Sequence, residues 1–113
     1  MDKYISIWLD THGIRTLVSV TDIKLIKKNT QATITIYYKP NGVTGGTCTC
    51  GGALQLNESG TMVVGNETDV MWLHNHIKLA LESPNPVYEL PKRMGGVVDN
   101  AGNDIKILSA QIV

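Results

Sequence analysis

Residues 67 to 82 read ETDVMWLHNHIKLALE and carry the strongest helical pattern in the chain. Apolar residues recur there at the spacing of one face of a helix, which has 3.6 residues per turn. The pattern predicts one amphipathic helix, at about residues 67–82, whose apolar stripe packs on a sheet. The stripe consists of Val70, Leu73, Ile77, Ala80 and Leu81.

Both ends of this predicted helix carry boundary signals. Asn66 or Thr68 can act as the N-cap, and Asp69 places negative charge in the first turn, where the helix dipole favours it. At the other end, Ser83 stands before Pro84, a sequence that favours extended backbone. We therefore expect a well-defined helix of about four turns.

Short strand patterns dominate the rest of the chain. Residues 4–9 alternate between apolar and polar positions, and residues 32–38 alternate most clearly. Together with the helix, these patterns predict an α+β fold with a mainly antiparallel twisted sheet or a β-sandwich-like sheet. Further strands are predicted at 14–20, 23–26, 47–50, 53–57, 61–64 and 87–90, and a hairpin at 97–113.

Chain length and charge limit the classes of function. A chain of 113 residues is long enough for one core, so residues 1–113 are expected to form a single domain. Ten basic and ten acidic residues give a net charge of zero, and the longest basic run is Lys27 and Lys28. This balance does not favour nucleic acid as a partner. The N-terminal residues suggest neither a signal peptide nor a membrane span.

Cys48 and Cys50 are the two cysteines of the chain. On an extended strand, their side chains would lie about 7 Å apart, so we expect reduced thiols. A metal site would need further ligands such as His12, His74 or His76. Packed or edge-strand cysteines are the simpler interpretation, and a small metal- or ligand-binding module using Cys48 and Cys50 is the alternative.

Sequence motifs for catalysis are missing. The chain contains no G-x-S-x-G, no phosphate-binding G-x-x-x-x-G-K-[ST] and no H-E-x-x-H motif. We therefore expect a protein that is not an enzyme and uses no cofactor.

Aromatic and apolar residues outside the predicted core are the interface candidates. Trp72, His76 and Leu79 fall roughly opposite the helix stripe. They either meet another subunit or are covered by a segment of the same chain. Trp8 and Tyr4, on the polar face of the first strand, raise the same question of interaction patch or simple sheet cover.

The predicted elements follow one another in the order YISI (4–7), TLVSV (16–20), DIKLI (22–26), ATITIYY (32–38), the helix and PVY (86–88). This order resembles that of the small virion structural proteins of tailed bacteriophages, which decorate or cement capsids or join head and tail. The resemblance implies a non-enzymatic role in a virion assembled in the host cytoplasm. It also implies contacts with itself or the major capsid protein, as a homo-oligomer or in a symmetric assembly. The Gly-rich insert around residues 48–50 and the C-terminal hairpin depart from the pattern and leave the position within the virion open.

Overall fold

The computed structural model describes residues 3–39, 52–63 and 65–112. These residues form nine strands and one helix, α1 (Thr68–Glu82), so the predicted α+β class with a mainly antiparallel sheet is confirmed. The strands are β1 (Tyr4–Leu9), β2 (Ile14–Ser19), β3 (Ile23–Thr30), β4 (Thr33–Tyr38), β5 (Ala53–Glu58), β6 (Val87–Glu89), β7 (Met94–Val98), β8 (Asp104–Ile105) and β9 (Ile107–Ile112).

A three-stranded sheet has the order β2-β1-β6. Strands β1 and β2 pair antiparallel in unbroken register, from Tyr4 opposite Ser19 to Leu9 opposite Ile14. The turn between them ends at Gly13, whose φ of 64° lies in the left-handed region that glycine adopts without strain. Strand β6 pairs parallel with β1, so the chain crosses from one to the other by way of α1 and the second sheet.

The second sheet is antiparallel and has the order β3-β4-β5-β9. Two register shifts interrupt the pairing of β3 with β4. The two larger sheets meet where the backbone N–H groups of Asp10 and Thr11 donate to Ile107 and Leu108 of β9, at 3.0 and 3.1 Å. Strands β7 and β8 form a separate two-stranded ribbon.

The core lies between these sheets and α1. Its fully buried members include Ile5 and Ile7 of β1, Ile34 and Ile36 of β4, and Leu73 of α1. Helix α1 packs on β7, β3 and β1, which places it across both sheets.

The predicted limits of α1 are confirmed to within a residue. The helix begins at Thr68, whose backbone N–H is bonded to Asn66 Oδ1 at 3.1 Å, and it ends where Ser83 turns extended. Of the predicted stripe, Leu73, Ile77 and Ala80 are buried and Val70 is half-buried. Leu81 is 49% exposed, so its assignment to the core was wrong. The final turn of α1 carries it into a surface groove beside β3.

One predicted strand is wrong in its described part. Residues 61–63 are not in a strand, although Met62 is buried and its N–H donates to Gln31 O at 3.3 Å. An apolar residue in a loop can be anchored by burial without a strand partner, which local alternation does not reveal. Val64 and the predicted strand at 47–50 lie outside the described residues.

Candidate functional site: exposed strand edge and apolar surfaces

Strand β2 is an outer strand of the three-stranded sheet. In the described part of the chain, no backbone hydrogen bond joins its outer edge to another strand. Its pairing with β1 has no bulge, and Ile14 and Leu17 are 54% and 59% exposed. Among the described residues, Ser19 at the end of β2 is the one that accepts a hydrogen bond from the second sheet, from the Tyr38 hydroxyl at 2.7 Å. A regular, apolar edge of this kind is a template for another strand.

Strand β3, an edge of the four-stranded sheet, is different. Two register shifts break its regularity, and Lys24 and Lys27 stand exposed along it. Bulges and lysines are the features by which natural proteins discourage edge pairing. The two edges therefore differ in kind, and β2 is the one suited to pairing.

The outer face of the three-stranded sheet continues from the β2 edge. The register places Tyr4, Trp8 and Leu17 on this face, together with Val87 of β6. Leu17 and Val87 are exposed, whereas Tyr4 and Trp8 are half-buried. We call these four residues the outer-face patch. Tyr4 and Trp8 are interface candidates predicted from the sequence, whereas Leu17 and Val87 were not predicted.

Arg15 holds the three strands together across this face. Its Nη1 donates to the carbonyls of Ser6 and Leu90 at 3.0 and 3.1 Å. Its Nη2 lies 3.3 Å from Glu89 Oε1. Arg15 is the one charged residue of β2, and its side chain is directed over the sheet. The outer edge of β2 therefore carries no other charged side chain.

Trp8 is fixed by two polar contacts. Its Nε1 donates to Asp10 Oδ1 at 3.1 Å, and the Lys92 ammonium lies 4.2 Å from the ring centroid. The bond from Trp8, followed by that from Lys106, lowers the pKa of the Asp10 carboxyl. Trp8 therefore presents a fixed ring at the border of the outer-face patch.

The helix candidates are only partly open to solvent. The ring centroids of Trp72 and His76 lie 4.3 Å apart, and His76 Nδ1 is 2.9 Å from the Tyr88 hydroxyl of β6. Both side chains are half-buried, and burial lowers the pKa of His76. A segment of the same chain thus covers part of this face, whereas Leu79 stays 50% exposed. An interface role for Trp72, His76 and Leu79 stays a prediction.

A groove of about 650 Å³ lies between α1 and β3. Its apolar lining includes Leu25, Met71 and Leu81, which are about half exposed or more. The groove was not predicted from the sequence, because Leu81 was assigned to the core. Lys24 of β3 and the register shift between Ile23 and Leu25 lie along this groove.

A charged cluster lies beneath the four-stranded sheet. Alternation along β3 and β5 turns Lys28 and Glu58 toward the core, since Lys28 is opposite Ile34 and Glu58 follows the buried Leu56. The Lys28 Nζ lies 3.2 Å from Glu58 Oε1 and also contacts Asp69 Oδ2 in the first turn of α1. The two carboxylate side chains are fully buried, and the Lys28 side chain is 12% exposed.

Within this cluster, Glu58 has an unusually high pKa for a carboxyl group. Burial is the main cause that raises the pKa of Glu58 to about 8, and the neighbouring Asp69 carboxyl adds to it. Glu58 therefore holds a proton at neutral pH. From the sequence, Asp69 is predicted only as a charge that the helix dipole favours. The inward alternation of Lys28 and Glu58 is the signal that could have revealed the cluster.

Family models, curated proteins and solved structures give no match to this chain. Of the residues that the structure describes, none belongs to a helix with the length and hydrophobicity needed to span a lipid bilayer. The same residues contain no group of three histidine, cysteine, aspartate or glutamate side chains placed to hold a metal ion. Cys48 and Cys50, on which the metal-binding alternative depends, lie outside the described residues.

Proposed function

We propose that this protein is a non-enzymatic structural component of a tailed-phage virion, of the auxiliary capsid or head–tail type. It binds further copies of itself or the major capsid protein through strand β2 and the outer-face patch. The mechanism is strand addition at the β2 edge, in which backbone hydrogen bonds give affinity. Burial of the adjacent side chains gives specificity for one partner.

The observation that carries this proposal is the open β2 edge. Six residues of β2 pair with β1 in unbroken register, and no strand in the described part of the chain pairs with their other edge. Ile14 and Leu17 on this strand are about half exposed. A monomer that leaves such an edge bare exposes it to indiscriminate pairing. A permanent neighbour in an assembly removes that hazard and turns the edge into a specific contact.

The outer-face patch extends the contact beyond the strand. Trp8 is held rigidly by Asp10 and Lys92, so burying it costs little side-chain entropy. Aromatic anchors of this type are enriched at the centres of protein interfaces. Repetition of a modest contact by closed symmetry would give a stable assembly.

Two substitutions at the two strand edges form a matched test. Leu17→Lys on β2 and Leu25→Lys on β3 each replace a leucine that is 59% or 51% exposed with the same cation. We expect Leu17→Lys to abolish self-association, or co-sedimentation with shells of the source phage, and Leu25→Lys to retain it. Size-exclusion chromatography with light scattering measures the first, and sedimentation of mixed samples the second.

Two results would refute the proposal or the role of β2, and one further observation tests the virion assignment. A wild-type protein that is strictly monomeric and binds no shell component would refute it. Loss of association with Leu25→Lys but not with Leu17→Lys would place the interface at the groove and refute the role of β2. Flanking genes for portal, shell or tail proteins would support the virion assignment, and their absence from a sequenced phage genome would contradict it.

A further inference from the structure

The buried cluster under the four-stranded sheet contains the three groups that amide formation needs. Lys28 supplies an amine and Asp69 a carboxyl carbon, and the two side chains are in direct contact. Glu58 lies within hydrogen-bond distance of the amine, at 3.2 Å. Strand alternation and the first turn of α1 fix all three, so the reacting atoms are held together by the fold itself.

The protonation state of Glu58 suits a role in proton transfer rather than in a simple ion pair. Burial raises the pKa of Glu58 to about 8, so it is a neutral acid beside the Lys28 and Asp69 pair. Its second oxygen, Oε2, is buried and has no hydrogen-bond partner among the described residues. An acid with a free oxygen beside an amine and a carboxyl can accept one proton and release another.

We propose that Lys28 and Asp69 condense within the folded chain to form a covalent amide cross-link, with Glu58 carrying the protons. The inference is independent of the proposed function. It concerns the chemistry of the core and holds or fails by a separate measurement.

The reaction balances without any co-reactant. A proton first passes from the Lys28 ammonium to the Asp69 carboxylate, which leaves a neutral amine and a neutral carboxyl. The amine lone pair attacks Cγ of Asp69, and the new C–N bond forms. Glu58 accepts a proton from the attacking nitrogen and delivers one to the departing hydroxyl. The C–O bond breaks, one water molecule leaves, and Glu58 returns to its starting state.

The buried setting favours the product. An ammonium and a carboxylate that are taken out of water lose much of their hydration, which their mutual attraction repays only in part. An amide at the same place carries no charge, so condensation removes both buried ions. Holding reactants in contact also raises their effective concentration, by as much as about 10⁵ to 10⁸ M in well-oriented systems.

The cross-link would join the sheet edge strand β3 to helix α1. These two elements are 41 residues apart at the linked positions and border the groove described above. A covalent bond there closes the intervening chain into a loop and restricts the unfolded state, as a disulfide does. Unlike a disulfide, it needs no oxidant and resists reducing agents.

Mass spectrometry of the purified, folded protein is the test. We expect the intact chain to be lighter than its sequence by one water molecule. A tryptic digest should contain a branched peptide that joins the segments around Lys28 and Asp69, with no cleavage after Lys28. Neither measurement requires a variant to fold.

Variants then assign the roles. Glu58→Gln should leave the chain at its full mass or slow the mass loss at least tenfold, because the amide cannot carry the proton. Lys28→Arg keeps a cation and should give no branched peptide, with circular dichroism reporting whether the fold persists. Asp69→Asn is the sharpest variant, since ammonia leaves in place of water and the product has the same mass as the wild-type product.

Three outcomes would contradict the cross-link or the roles assigned to its residues. A wild-type chain that is folded and still at full mass after prolonged incubation at neutral pH would show that the cluster is an ion pair only. A branched peptide that persists undiminished in Glu58→Gln, at the wild-type rate, would overturn the role of Glu58. A cross-link between other residues would overturn the assignment altogether.

Discussion

Stability should fall as the pH rises through the neutral range, because Glu58 must give up its buried proton. The pKa of Glu58 is raised from its ordinary value of 4.5 to about 8 in the folded chain. Between these values, the folded state keeps a proton that the unfolded state has lost. The stabilising contribution is therefore complete below pH 4.5 and is lost as the pH rises through about 8.

The size of the effect follows from the one bound proton. Each pH unit in this window lowers the free energy of unfolding by at most about 1.4 kcal/mol. From about pH 5.5 to about pH 7.5 the loss is thus about 3 kcal/mol, a large part of the stability of a small domain. Lys28 from β3 and Asp69 from α1 are the charged groups that face Glu58. Burial, rather than either of these charges, is the first cause of the raised pKa of Glu58.

The change with pH in the difference between wild type and Glu58→Gln isolates the contribution of this proton, because a cross-link present in the wild type alone shifts that difference by the same amount at each pH. Glutamine has nearly the shape of protonated glutamate and does not titrate, so the variant lacks this part of the pH dependence. Other carboxyls, including Asp10 with its lowered pKa, affect both proteins equally. Urea unfolding of both proteins at three pH values gives the difference in free energy of unfolding. The difference should fall by about 3 kcal/mol over two pH units. Parallel curves, or a wild-type protein that gains stability over the variant as pH rises, would refute the reasoning.

Two further predictions concern packing. Leu73→Ala removes a fully buried side chain of α1 and should lower the free energy of unfolding in urea by about 3 kcal/mol. Met71→Ala, at an exposed position of the same helix, should change the free energy of unfolding by no more than about 0.5 kcal/mol. Gly60→Ala would bring a Cβ to 2.3 Å from Asp99 Oδ2, whereas a Cβ at Gly95 meets nothing within 4 Å. We expect Gly60→Ala to lower the melting temperature and to cost about 1 to 3 kcal/mol, because Asp99 is held by two backbone bonds in its turn, and Gly95→Ala to leave the melting temperature nearly unchanged. Equal effects of the two substitutions would contradict the close packing at Gly60.

Local sequence patterns were enough to predict the helix and most of the strands. The limits of α1 depend on Asn66, Ser83 and Pro84, which act within a turn of the helix. Alternation in β1 and β4 is likewise a property of neighbouring residues. Leu81 was wrongly assigned because helical periodicity gives a direction around the axis but not where the sheet beneath it ends.

Contacts between residues that are far apart in the chain could not be predicted from the sequence. Alternation could have turned Lys28 and Glu58 toward the core, but their contact with Asp69 depends on a helix position 41 residues from Lys28, which no local spacing reveals. The covering of His76 by Tyr88 depends in the same way on the parallel pairing of β6 with β1. The openness of β2 follows from strand order, so the candidate interface could be located only in part, through Tyr4 and Trp8.

The position of β1 in the middle of its sheet has a consequence for how the chain folds during synthesis. Its first partner, β2, is made at once, but its second partner, β6, begins only at Val87, after the helix is complete. Strand β5 waits in the same way for β9, which closes the second sheet at the end of the chain. The apolar side of the β1-β2 hairpin is thus uncovered while most of the protein is still being translated. Late pairing of this kind slows folding and prolongs exposure to aggregation, so the ribosome-bound chain is the stage at which chaperones would matter most.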